Sequence, residues 1–80
     1  MRITVRYFAA AKDAVGHADD VIDVAVGGTI ADVRAQLANN TALTAVLGRS
    51  RLALNQRFVD EATAISADSE VAVIPPVAGG

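Results

Sequence analysis

Three stretches of this chain alternate apolar and polar residues with a period of two, the mark of half-buried β-strands. In residues 1–8, Ile3, Val5 and Tyr7 fall on one face and Arg2, Thr4, Arg6 and Phe8 on the other. Residues 20–26 repeat the pattern with Ile22, Val24 and Val26 expected inward, until Gly27-Gly28 breaks it. Residues 70–74 make the last such run, with Val71 and Val73 inward and Glu70, Ala72 and Ile74 outward. A shorter run at 51–55 puts Leu52 and Leu54 together, and Asn55-Gln56 turns the chain toward Phe58 and Val59.

Between the strands the period changes. Thr29 with Asp32 three residues on resembles a capping box, and Ile30, Val33 and Leu37 follow at helical spacing, so a helix is expected over 29–39. Residues 9–15 are alanine-rich and end at Gly16, which fits a short helical turn or a tight loop. Residues 42–47 add a further short turn closed by Gly48, and the polar stretch 60–69 is expected as a loop pinned to the core by Ile65. Of the 42 hydrophobic residues 17 are alanine, which leaves 25 larger side chains, enough for one core in an 80-residue chain. The order strand, strand, helix, strand, short strand, strand gives an α+β fold, a ubiquitin-like β-grasp. One main helix covers one face of a mixed sheet, and the first and last strands lie side by side. Residues 1–74 form this domain, and 75–80 form an extended tail.

Composition removes several function classes. Seven basic residues scattered singly in a chain of net charge −2 make no stripe for a phosphate backbone, so no nucleic-acid partner is expected. No run reaches the roughly 18 apolar residues of a membrane span, and the opening residues lack a signal peptide's apolar core. A cytoplasmic location without membrane contact is the expectation. With no cysteine there is no disulfide, thiolate site or cysteine nucleophile. The lone His17, near Asp19 and Asp20, reads as a solvent-facing loop residue, and neither a metal nor a bound cofactor is expected.

Two features remain as candidate sites. Pro75-Pro76 removes two backbone donors and fixes φ twice, so the chain leaves the sheet extended and stiff, followed by Val77-Ala78-Gly79-Gly80. Two residues without a β-carbon can enter a channel closed to side chains, which makes the terminal carboxylate of Gly80 the candidate reactive group. A frayed end is the competing interpretation. Strand parity supplies the second feature: Phe8 and Ile74 project from the face opposite the core, and Phe58 joins them. This apolar patch suits a protein partner, with Arg2, Arg6 and Arg57 as a polar rim. It remains open whether a second helix or the 60–69 loop covers these three, or whether they are ordinary scattered surface residues.

Three segments carry a resemblance to a known family: Val5-Arg6-Tyr7-Phe8-Ala9-Ala10-Ala11, Leu54-Asn55-Gln56, and Glu70 through Gly80 with its Pro-Pro-Val-Ala-Gly-Gly ending. The chain resembles the MoaD/ThiS sulfur-carrier family over nearly its whole length. It looks most like the branch of molybdopterin synthase small subunits, because thiazole-synthesis carriers usually lack the Pro-Pro-Val element. The family's Asp-Gly-Asp-Glu turn appears here as Ala67-Asp68-Ser69-Glu70, and Ile74 stands where the family has an aromatic residue.

The resemblance implies that Gly80 acts as the catalytic position through its carboxylate. An activating enzyme using ATP would adenylate it, convert it to a thiocarboxylate, and leave this chain without catalytic side chains of its own. The implied partners are that adenylating and sulfurtransferase enzyme and a molybdopterin synthase large subunit, two small with two large subunits, for dithiolene formation in molybdenum cofactor biosynthesis. A carrier for thiazole or cysteine synthesis, a ubiquitin-like protein modifier and a binding module without chemistry are the rivals.

Overall fold

The computed structural model describes residues 1–76. The tail positions Val77, Ala78, Gly79 and Gly80 lie outside the described residues. The chain runs β1 (Arg2–Tyr7), α1 (Ala9–Val15), β2 (Asp19–Asp23), α2 (Ile30–Leu37), α3 (Thr44–Leu47), β3 (Arg51–Leu54), β4 (Arg57–Phe58) and β5 (Glu70–Ile74). The strands form one mixed sheet in the order β2-β1-β5-β3-β4. Its centre is the parallel pair β1 and β5, with Thr4 opposite Glu70 and Tyr7 opposite Val73, and the other pairings are antiparallel. This is the ubiquitin-like β-grasp that the strand and helix order implies.

Local chemistry explains each turn of the chain. The helix α2 starts at a complete capping box: the Asp32 N–H donates to Thr29 Oγ1, and the Asp32 carboxylate accepts from the Thr29 N–H at 2.8 Å. Ile30, Val33 and Leu37 then share its buried face. α1 ends at Gly16, whose φ of 84° lets its N–H reach back to the Lys12 carbonyl. Asn55 and Gln56 both have positive φ, 48° and 70°, the geometry of a two-residue turn between β3 and β4. Asn55 also fixes the start of β5. Its N–H donates to the Glu70 carbonyl at 2.8 Å, and its side-chain oxygen accepts from the Glu70 N–H at 2.9 Å.

One expectation about the strands fails. Val26 is 88% exposed rather than inward, because Arg2 pairs with Asp23 and Val24 bonds the Met1 carbonyl, so β1 offers no partner beyond that point. The inward series stops at the buried Val24. Ile3, Val5, Tyr7, Leu52, Val71 and Val73 line the sheet side of the core, and α1, α2 and α3 cover it with Ala11, Ile30, Val33, Leu37 and Leu47. Val24, Leu43 and Ile65 complete it.

Arg34 ties three parts of this cover together. Its guanidinium donates to the Leu47 carbonyl at 2.8 Å and the Ser50 carbonyl at 3.1 Å, and grips both Glu61 oxygens. Replacing it takes a donor from both carbonyls, although the Leu47 carbonyl keeps the Ser50 N–H at 3.1 Å. Arg34→Met is expected to cost about 1–2 kcal/mol, because those carbonyls are part-buried. Glu61→Gln, which touches only the half-exposed ion pair, is expected to cost about 0.5 kcal/mol or less. Urea unfolding of the two variants checks the ranking.

Candidate functional site

The sheet face turned away from the helices carries the expected patch. Along one row across β1, β5, β3 and β4 stand Arg6, Ala72, Ala53 and Phe58, each opposite the next in register. The adjoining row carries Ile74 opposite Arg51, with Phe8 bonded through its N–H to the Val73 carbonyl. Long side chains at the ends and alanines between them leave a groove of about 330 Å³, lined by Arg6, Phe8, Ala53, Gln56, Phe58, Glu70, Ala72 and Ile74. Phe8, Phe58 and Ile74 thus come together as parity implies. Phe8 is 39% and Phe58 50% exposed, an unusual amount of aromatic surface for a domain with so few large side chains.

Nothing among the described residues covers this groove. The 60–69 loop lies on the opposite face, where Thr29 bridges Ala64, the Ala31 N–H bonds the Glu61 carbonyl, and the Ile65 N–H bonds the Gly28 carbonyl. The rim differs from expectation. Arg6 does line the groove, 3.9 Å from Glu70 and with its guanidinium 5.3 Å from the centre of the Phe8 ring. Arg2 instead faces Asp23 at 3.8 Å near the other edge of the sheet, and Arg57, opposite Leu54, has the parity of the core face. The basic residue that parity assigns there, and that the sequence reading passes over, is Arg51, stacked 3.7 Å from the centre of the Phe58 ring.

The groove adjoins the end of the last strand. β5 ends at Ile74 in the groove wall, followed by the buried Pro75 and the exposed Pro76. Gly80, Gly79, Ala78 and Val77, the expected reactive end, are outside the described residues.

A second polar cluster lies elsewhere. The Tyr7 hydroxyl donates to Asp20 Oδ2 at 2.8 Å, and His17 Nε2 meets the same oxygen at 2.9 Å with its ring edge-on to Tyr7. His17 is half-exposed, as a loop histidine should be, yet it is not idle. Its hydrogen bond, and then that of Tyr7, hold the Asp20 carboxyl below the usual carboxylate range against partial desolvation. Burial, and then the hydrogen bond and charge of Asp20, push the Tyr7 phenol well above its ordinary 10.0. A phenol so raised stays protonated and is no nucleophile.

The signs of pH dependence follow. Asp20 ionises more easily in the folded chain, so its contribution is full above the unfolded carboxyl range and lost as pH falls through the lowered folded value. Tyr7 holds its proton more tightly when folded, so its contribution is full below pH 10.0 and lost as pH rises beyond it. Asp20→Asn should flatten the acid limb of stability and Tyr7→Phe the alkaline limb, as read from urea midpoints across pH. Among the described residues, no group of three or more His, Asp or Glu side chains could hold a metal ion.

The ThiS family model matches residues 5–80. The chain belongs to the ThiS family. A molybdopterin synthase sulfur carrier subunit of Chlamydomonas reinhardtii is 35% identical over 83 residues, covering all of both chains. Among solved structures, a complex of subunits 1 and 2 of molybdopterin-converting factor from Helicobacter pylori contains a chain 27% identical, with a TM-score of 0.79 and full coverage of both chains. SAMP1 of Haloferax volcanii superposes with a TM-score of 0.89 over all of both chains at 24% identity, a likeness of fold.

The departures from the family pattern are accommodated. Asp68, at the glycine position of the turn before β5, takes a φ of 65°, which aspartate tolerates better than most residues, and Ser69 behind it is buried. Ile74 fills the aromatic position as part of the groove wall beside Phe8.

Proposed function

We propose that this chain is a cytoplasmic sulfur carrier, the small subunit of a molybdopterin synthase, and that sulfur rides on Gly80 as a thiocarboxylate. The observation that carries the proposal is the full-length likeness to the algal sulfur carrier subunit, together with an uncovered apolar groove next to Pro75-Pro76. A chain without cysteine has no side-chain thiol on which to carry sulfur, and the terminal carboxylate supplies an alternative.

A carboxylate resists attack because its charge is shared between two oxygens. Its attack on the α-phosphate of ATP, on the activating enzyme, forms an acyl-adenylate and releases pyrophosphate. Hydrosulfide from the sulfur source then adds to the acyl carbon, AMP departs with the bonding pair, and loss of the sulfur-bound proton leaves a thiocarboxylate. ATP belongs to the activating enzyme, and no cofactor is assigned to this chain. The large subunit, paired two to two with this one, provides the pocket where sulfur passes to a pterin precursor to build the dithiolene. Phe8, Phe58 and Ile74 supply the apolar docking surface.

The modifier alternative shares the fold, since SAMP1 superposes as well, so the body alone does not separate the two. Mass does. Incubated with its activating enzyme, ATP and a sulfur source, the intact chain should exchange one oxygen for one sulfur. An unchanged mass would overturn the reading, and an isopeptide adduct on another protein's lysine would favour the modifier.

A further inference from the structure

The groove on the outer sheet face has a floor and a rim of different chemistry. Ala72 and Ala53 point outward yet are only 6% and 3% exposed, because Arg6 and Phe58 at the ends of their row, with Phe8 and Ile74 beside them, stand above them. The depression above two β-carbons, about 330 Å³, is large enough for a single leucine, methionine or phenylalanine side chain.

The rim is basic on a chain of net charge −2. Arg6 is already 3.9 Å from Glu70, whereas no carboxylate among the described residues comes within 4.0 Å of Arg51. Arg51 lies with its guanidinium 3.7 Å from the Phe58 ring centre. A guanidinium packed by its face keeps its N–H donors in plane, free for an edge-on carboxylate.

Resting on the docking role given to this face above, we infer that the groove receives one bulky apolar side chain of the partner protein, seated on Ala53 and Ala72, with a neighbouring partner carboxylate bound by Arg51. A second copy of this chain fits less well. It would bring a rim of two arginines and one glutamate against its own image, and that glutamate already faces Arg6.

The test titrates the intact chain and its variants against the molybdopterin synthase large subunit of the source organism by calorimetry. Ala72→Leu fills the floor from within and should weaken binding about tenfold or more, as loss of a central anchor does. Arg51→Ala should weaken it about fivefold and make the remaining affinity less sensitive to salt, as loss of one charge pair does. Thermal melts show that each variant folds. Should Ala72→Leu not fold, Arg51→Ala, altered only at an exposed side chain, decides alone.

Variants within twofold of an intact chain that binds would overturn this inference and leave the docking role standing. No binding by the intact chain would overturn the docking role and this inference together. Self-association of the intact chain that both variants abolish would assign the groove to a second copy and overturn the inference.

Discussion

A chain lacking Gly80 is expected to take up no sulfur at all while melting at the same temperature as the intact protein. Among the described residues every side chain of the hydrophobic core lies between Ile3 and Val73, and Gly80 has no side chain, so its deletion takes none out of the core. It moves the carboxylate instead. One extended residue spans about 3.5 Å. Acyl transfer needs its atoms within about 3–3.5 Å of one another, so a shift of one residue withdraws the group from reach. Adding an alanine after Gly80 should have the same result for the opposite reason, as it puts a β-carbon where the two glycines present none. Intact mass after incubation with the activating enzyme and a melting curve read the two halves of this expectation. Full loading of the shortened chain would remove Gly80 from its assigned role.

Leu43→Ala is expected to lower stability by about 3 kcal/mol, since a fully buried leucine loses both its transfer energy and the packing around the cavity left behind. That is severe here. A domain of this size is stable by roughly 4–12 kcal/mol, so the variant loses about a quarter of that or more. Leu43 precedes the four-residue α3; its N–H bonds the Asn40 carbonyl and its own carbonyl accepts from the Leu47 N–H at 2.8 Å, so a hydrogen-bonded backbone limits how far the segment can close over the gap. The urea midpoint should fall with the slope unchanged. A shift below about 1 kcal/mol would mean that the segment collapses into the gap at little cost.

How far these features can be read from the residues varies with the interaction that sets them. β1, β5 and α2 are legible because the large apolar side chains of each fall on one face, which imposes a period on the chain. Val26 misleads because alternation continues in the sequence after the neighbouring strand has run out, and no residue of the strand itself records where its partner ends. Leu43 is obscured because four helical residues are too few to show a period.

At the site, Phe8, Phe58 and Ile74 follow from parity alone. Arg51 and the alanine floor do not stand out. The stack of Arg51 on Phe58 is a diagonal contact whose register is set by the left-handed pair Asn55-Gln56, and two alanines among 17 carry no signal of their own. Arg57 is misplaced because the two-residue turn sets it opposite Leu54, and as the strand neighbour of Phe58 it takes the other face.

The central position of β5 bears on synthesis. Until Glu70–Ile74 has been made, the nascent polypeptide holds two half-sheets, β2 with β1 and β3 with β4, each exposing an edge where that strand belongs. Cooperative folding therefore waits until the ribosome has released the chain through β5, and copies terminated before it remain open to proteases. Any molecule that survives this triage has, a few residues beyond its keystone strand, the very segment that the sulfur-loading machinery would need to grasp.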